Sequence, residues 1–171
     1  RPEGVAPPRL DQRTRLAADP WREGLLTQVA VAWVLGSVFV RFSEDNGLLP
    51  TPLLCGPGER ASQAVDRQTL FFRAHPSDGE RAYLMSVFAR VAALPGLSQV
   101  FGPHNPFRLF GPSDDGARTI LASWREVYPE SGALRRPMIE PGWDTRFLGD
   151  LYQDLSEAAK KSFALLQTPD F

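Results

Sequence analysis

A chain of 171 residues, 43% of them hydrophobic and 23% charged, is long enough for one domain with its own core and too apolar for wholesale disorder. Its formal net charge of −1 removes any argument for nucleic-acid binding from bulk charge, and of its 19 basic residues only Lys160 and Lys161 are lysine. The single cysteine, Cys55, cannot form an internal disulfide and points to a reducing cytoplasm. No secretory leader pattern opens the chain, and the most apolar run, Val29 to Val40, is shorter than the roughly 20 residues of a membrane span. No membrane partner is expected.

Residues 1–19 are rich in proline and arginine and read as an extended arm. Asp19-Pro20 then offers an N-cap acceptor and a proline at the first helical turn, predicting a helix from Pro20 to about Asp45. This helix is apolar nearly all round, so other elements should cover it on several sides. Asn46-Gly47 ends it, glycine being suited to a left-handed cap. A second helix is expected over Glu59–Ala74, stopped by His75-Pro76. Ser77 and Glu80 have capping-box spacing. The helix they introduce carries the most regular apolar stripe of the chain: Tyr83, Leu84, Val87, Phe88, Val91 and Ala92. Pro95-Gly96 closes it. After a turn-rich stretch, Ser113 or Asp114 can cap a fourth helix to about Tyr128. A proline-rich linker follows, and Asp144 can cap a fifth helix whose Phe147, Leu148, Leu151 and Leu155 keep a helical period. The fold class is mainly α: about five helices joined by proline-rich loops. The expected division is an arm over 1–19, a helical domain over 20–142 and a segment over 143–171 that leads into a catalytic domain absent from the chain.

The residues that carry chemistry are few. Cys55 would need a base and an electropositive setting to act as a nucleophile, and nothing in the sequence brings His75 or His104 to it. One cysteine and two separated histidines are no zinc pattern, so no metal is expected. Gly56-Pro57-Gly58-Glu59-Arg60 lacks the Gly-Lys-Ser/Thr ending of a phosphate loop and reads as a turn feeding a helix. Asp114-Asp115 complements a helix dipole. Arg135-Arg136 and Lys160-Lys161 are candidate contacts to a nucleic-acid backbone, with ordinary solvation as the alternative.

The C-terminal stretch is more distinctive. It contains Leu148-Gly149-Asp150-Leu151-Tyr152-Gln153-Asp154-Leu155 and then Thr168-Pro169. This resembles the segment leading into the catalytic domain of the PglX-type methyltransferases of phage-defence systems (phage growth limitation, or BREX type 2). It is also similar to the wider group of type I and type IIG restriction-modification methyltransferases. Gly56-Pro57-Gly58-Glu59-Arg60, Phe71-Phe72-Arg73-Ala74-His75-Pro76 and His104-Asn105-Pro106 resemble the PglX amino-terminal region too. The resemblance implies an adenine-specific DNA methyltransferase that uses S-adenosylmethionine, with Thr168 and Pro169 as the cofactor-contacting positions. It also implies DNA and other phage-defence components as partners of the parent protein. The glycine-rich cofactor motif and the Asn-Pro-Pro-Tyr type motif of the family are not in these 171 residues. No catalytic residue is therefore assigned, and the chain alone is not expected to bind the cofactor. The alternative is a protein-interaction module without direct nucleic-acid contact; least favoured is a small enzyme built on Cys55 or the histidines.

Overall fold

In a computed structural model, the backbone is described for residues 10–138 and the side chains for residues 22–138 apart from residue 99. The described residues are mainly α-helical: α1 (Leu10–Asp45), α2 (Glu59–Ala74), α3 (Glu80–Ala92), the single turn α4 (Ser98–Phe101), a 3-10 turn at Pro106–Arg108, and α5 (Asp114–Arg125). They contain no named strand, only an isolated antiparallel bridge between Val127 and Leu134. The fifth helix expected after Asp144 lies outside the described residues.

Two helix starts differ from expectation. The first helix begins at Leu10, not Pro20, so ten residues assigned to an extended arm are helical. Proline in a helix interior forfeits one backbone hydrogen bond and crowds the preceding turn, but Leu, Gln, Arg and Ala in Leu10–Asp19 are strong helix formers that favour continuation. The expected Ser77–Glu80 capping box is also absent. Gly79 is the N-cap of α3 and gives no side-chain bond. Instead Asp114, at the start of α5, accepts the Arg81 backbone N–H at 2.9 Å. Glu80 is engaged elsewhere, accepting from Gln68 at 2.6 Å and pairing with Arg118 at 3.7 Å.

Other local signals act as the sequence predicts. Gly47 takes φ 70° after α1. Leu48 N–H donates to Ser43 O and Gly47 N–H to Glu44 O, the two bonds of a Schellman ending. Ser113 caps α5 by accepting from Gly116 N–H. That helix stops at Arg125, short of Tyr128, because residues 126–135 turn back as a hairpin-like loop with Gly132 at φ 67°.

Helix α3 is the hub, packing against α2, α4 and α5 while α1 packs on the 3-10 turn. Tyr83, Leu84, Val87, Phe88 and Val91 are all buried, as the period of the stripe requires. Phe88 lies 5.3 Å from the Trp33 ring, 5.0 Å from Phe107 and 5.4 Å from Phe101, which gathers α1, α3, α4 and the 3-10 turn around one aromatic cluster. Gly36 lets α1 approach: a Cβ there would stand 2.9 Å from the Phe88 ring. Arg22–Asp45 is long and apolar enough to cross a membrane by length and composition, beyond what the Val29–Val40 run alone indicates. Trp33, Val38, Val40 and Phe42 are nevertheless at most 6% exposed within the packed core, the position of a core helix.

Candidate functional site

The last turn of α1 carries Arg41, Glu44 and Asp45 at i, i+3 and i+4, hence on one face. That face is inward. Arg41 and Glu44 are 0% exposed, and a buried charge is tolerated only when paired and hydrogen-bonded. Arg41 pairs with Glu44 at 3.3 Å and with Asp45 at 2.9 Å. Glu44 then accepts three consecutive backbone N–H groups, from Leu53, Leu54 and Cys55, at 2.5, 2.7 and 3.0 Å. Asp45 accepts from Met138 N–H at 2.7 Å.

The carbonyls of the same loop are held from the other side. Leu53 O accepts the Tyr83 hydroxyl at 2.5 Å, Leu54 O accepts Arg125 Nε at 2.9 Å and Leu49 O accepts from Arg60 at 2.8 Å. Burial pushes the Tyr83 phenol up to about 12, so it stays a donor across the ordinary pH range. The proline-broken connection between α1 and α2 is thus fixed by both its donors and its acceptors.

This rigid loop floors a cleft between α2 and α3. A cavity of about 210 Å³ opens there, walled by Arg67, Leu70, Phe71 and Ala74 from α2 and by Tyr83, Ser86, Val87 and Arg90 from α3. Each set has i, i+3, i+4, i+7 spacing, so each is one helix face. Leu53 and His75 complete the lining. A second cavity of about 120 Å³ adjoins it, sharing Leu53 and Arg90. The site is cationic and aromatic: two guanidiniums, the Phe71 and His75 rings at 4.8 Å, and Tyr83 5.4 Å from Phe71. No acid lines it. Sequence reasoning missed this cleft; the signal was the arginine at one end of each stripe, visible only once the two stripes face each other.

Of the candidate nucleic-acid contacts, Arg135 and Arg136 are described. They lie beyond the Val127–Leu134 bridge and share one carboxylate, Glu126, at 3.1 and 2.7 Å. The Arg136 hydrogen bond holds Glu126 below its ordinary carboxylate range. Arg135 also stacks on Tyr128, 5.2 Å from the ring centroid. Two guanidiniums share the Glu126 carboxylate, and exposed Glu130 in the same loop balances the second positive charge. Lys160, Lys161, Thr168 and Pro169 lie outside the described residues. Cys55 is fully buried, its thiol 3.6 Å from Gly56 O and pushed above its ordinary range by burial. His75 and His104 are exposed, and neither is among the groups that act on the Cys55 thiol. Among the described residues, no group of three or more His, Cys, Asp or Glu side chains is arranged to hold a metal ion.

No family model matches the chain, and no solved structure matches it. Over 168 residues it is 45% identical to the adenine-specific methyltransferase PglX of Streptomyces coelicolor (strain ATCC BAA-471 / A3(2) / M145). The match takes in 93% of this chain and 14% of the length of that relative. The likeness to PglX carried by the sequence motifs therefore extends over nearly the whole chain.

Proposed function

We propose that this chain is the amino-terminal helical domain of a PglX-type, phage-defence DNA N6-adenine methyltransferase. The observation that carries the reading is the 45% identity to PglX over 93% of the chain. On this reading the parent is a cytoplasmic enzyme that transfers a methyl group from S-adenosylmethionine to adenine in DNA. The domain supports that reaction by positioning DNA, enclosing cofactor or joining other defence components. Base methylation requires a nucleotide taken out of the stack into an enclosed pocket, and this chain carries neither of the family motifs for cofactor and adenine. Its contribution is therefore to binding and assembly. Thr168-Pro169 is the expected approach to the cofactor, and Arg135, Arg136, Lys160 and Lys161 are the expected contacts to the DNA backbone.

The test uses the full-length protein that contains this chain. It should transfer a labelled methyl group from S-adenosylmethionine to adenine in duplex DNA. Thr168→Ala should raise the KM for the cofactor more than it lowers kcat. Full-length protein that binds no S-adenosylmethionine and methylates no DNA would overturn the reading. The second reading, a protein-interaction module, is favoured by the exposed apolar Leu109 and Phe110, 64% and 39% accessible beside the 3-10 turn. DNA binding that weakens steeply with salt would count against it.

A further inference from the structure

We propose that the cleft between α2 and α3 binds a nucleoside phosphate, with its base against the Phe71 and His75 rings and its phosphate on Arg67 and Arg90. The inference stands on the cleft itself and is independent of the methyltransferase reading.

Three observations carry it. First, the two arginines are unspent. Arg41, Arg60, Arg118, Arg125, Arg135 and Arg136 are engaged by carboxylates or carbonyls. Arg67 and Arg90 line the cavity with no hydrogen bond, ion pair or ring contact to any of the described residues. Two guanidiniums at one opening, with no acid among the described lining residues, are matched by a phosphate, which accepts from such forks. Both line the cavity that Tyr83 also lines.

Second, the cavity lining includes rings, of which His75 is exposed and half-buried Phe71 packs on it. Phe71 and His75 are 4.8 Å apart and tilted by 39°, and Leu70 beside them is 59% exposed. An acidic peptide would use the cations and leave these rings idle. A base stacks on them, as in single-strand sites where aromatic platforms and cationic grooves act together. Third, the size is selective. About 210 Å³ falls below the roughly 300–1,000 Å³ of sites that enclose drug-sized ligands. The cleft admits a ring and leaves the phosphate at the rim, and it does not enclose a whole S-adenosylmethionine. The Glu44 clamp keeps Leu53, the floor, fixed before any ligand arrives.

Two sources share this chemistry: a nucleotide within a single strand, and a free mononucleotide. The 171-residue chain is titrated against a fluorescently labelled short single-stranded deoxyoligonucleotide, with dAMP and a poly-glutamate peptide as competitors. Saturable binding is expected. The Arg67→Gln, Arg90→Gln double variant should weaken it about tenfold or more, and Phe71→Leu about fivefold or more. Arg73→Gln, outside the cavity lining, should leave it unchanged. Competition by dAMP at concentrations close to those of unlabelled strand assigns the free nucleotide; much stronger competition by strand assigns the strand. Absence of binding overturns the proposal. So does equal loss in Arg73→Gln, which would mean diffuse attraction, or competition by poly-glutamate as effective as that by nucleotide. Thermal melts by circular dichroism accompany each variant. If Phe71→Leu does not fold, the arginine double variant, changed at accessible positions, decides alone. Failure here leaves methyl transfer by the full-length protein untouched.

Discussion

Tyr83 joins two parts of the chain that are 30 residues apart, donating to Leu53 O while only 3% exposed. Burial raises its phenol to about 12 in the fold, against about 10 in an unfolded chain. The unfolded chain therefore releases this proton first. Stability that is fully present below pH about 10 is lost as pH rises towards about 12, by about 2–3 kcal/mol in all. Tyr83→Phe should cost about 1 kcal/mol at neutral pH through the lost hydrogen bond and should flatten stability over that alkaline window. Urea midpoints at neutral and alkaline pH, compared with the parent chain, measure both effects. Periodicity placed Tyr83 on the core stripe, but its partner was invisible, because a backbone carbonyl in a proline-rich loop has no residue signature.

Helix starts separate local from tertiary chemistry. Ser113 caps its own helix within three residues, which sequence can read. The start of α3 is capped from a distance: Asp114 reaches Arg81 N–H across 33 residues. Local spacing favoured Ser77, but the packing of α5 on α3 delivers a carboxylate to the same end, where the helix dipole favours negative charge. Asp114→Ala should therefore cost about 1 kcal/mol, while Ser77→Ala should stay within roughly 0.5 kcal/mol. Chemical denaturation of the two variants gives a direct comparison, and the reverse order would restore the capping box. Gly79 belongs to the same contact, since a Cβ there would meet the Asp114 carboxylate at 2.2 Å.

At the scale of the whole molecule, Glu44 holds the architecture. It is completely buried, pairs with Arg41 and accepts three backbone N–H groups. Glu44→Ala would leave a buried guanidinium with half its compensation and three donors unpaired. The expected cost is about 3–5 kcal/mol, read as a large fall in thermal midpoint, with loss of the α2–α3 cleft because its floor is released. A small change in the midpoint would show that the loop is held by Tyr83 and Arg125 instead. The helical class, the boundaries of α2, the Gly47 stop and the buried stripe of α3 were all determined by sequence, because hydrophobic period and cap chemistry act over a few residues. The interior placement of Arg41 and Glu44, the cap lent by Asp114 and the facing of Arg67 and Arg90 across one cleft were decided only by tertiary structure. Each depends on which helix faces meet, and no local pattern states the partner of a polar side chain.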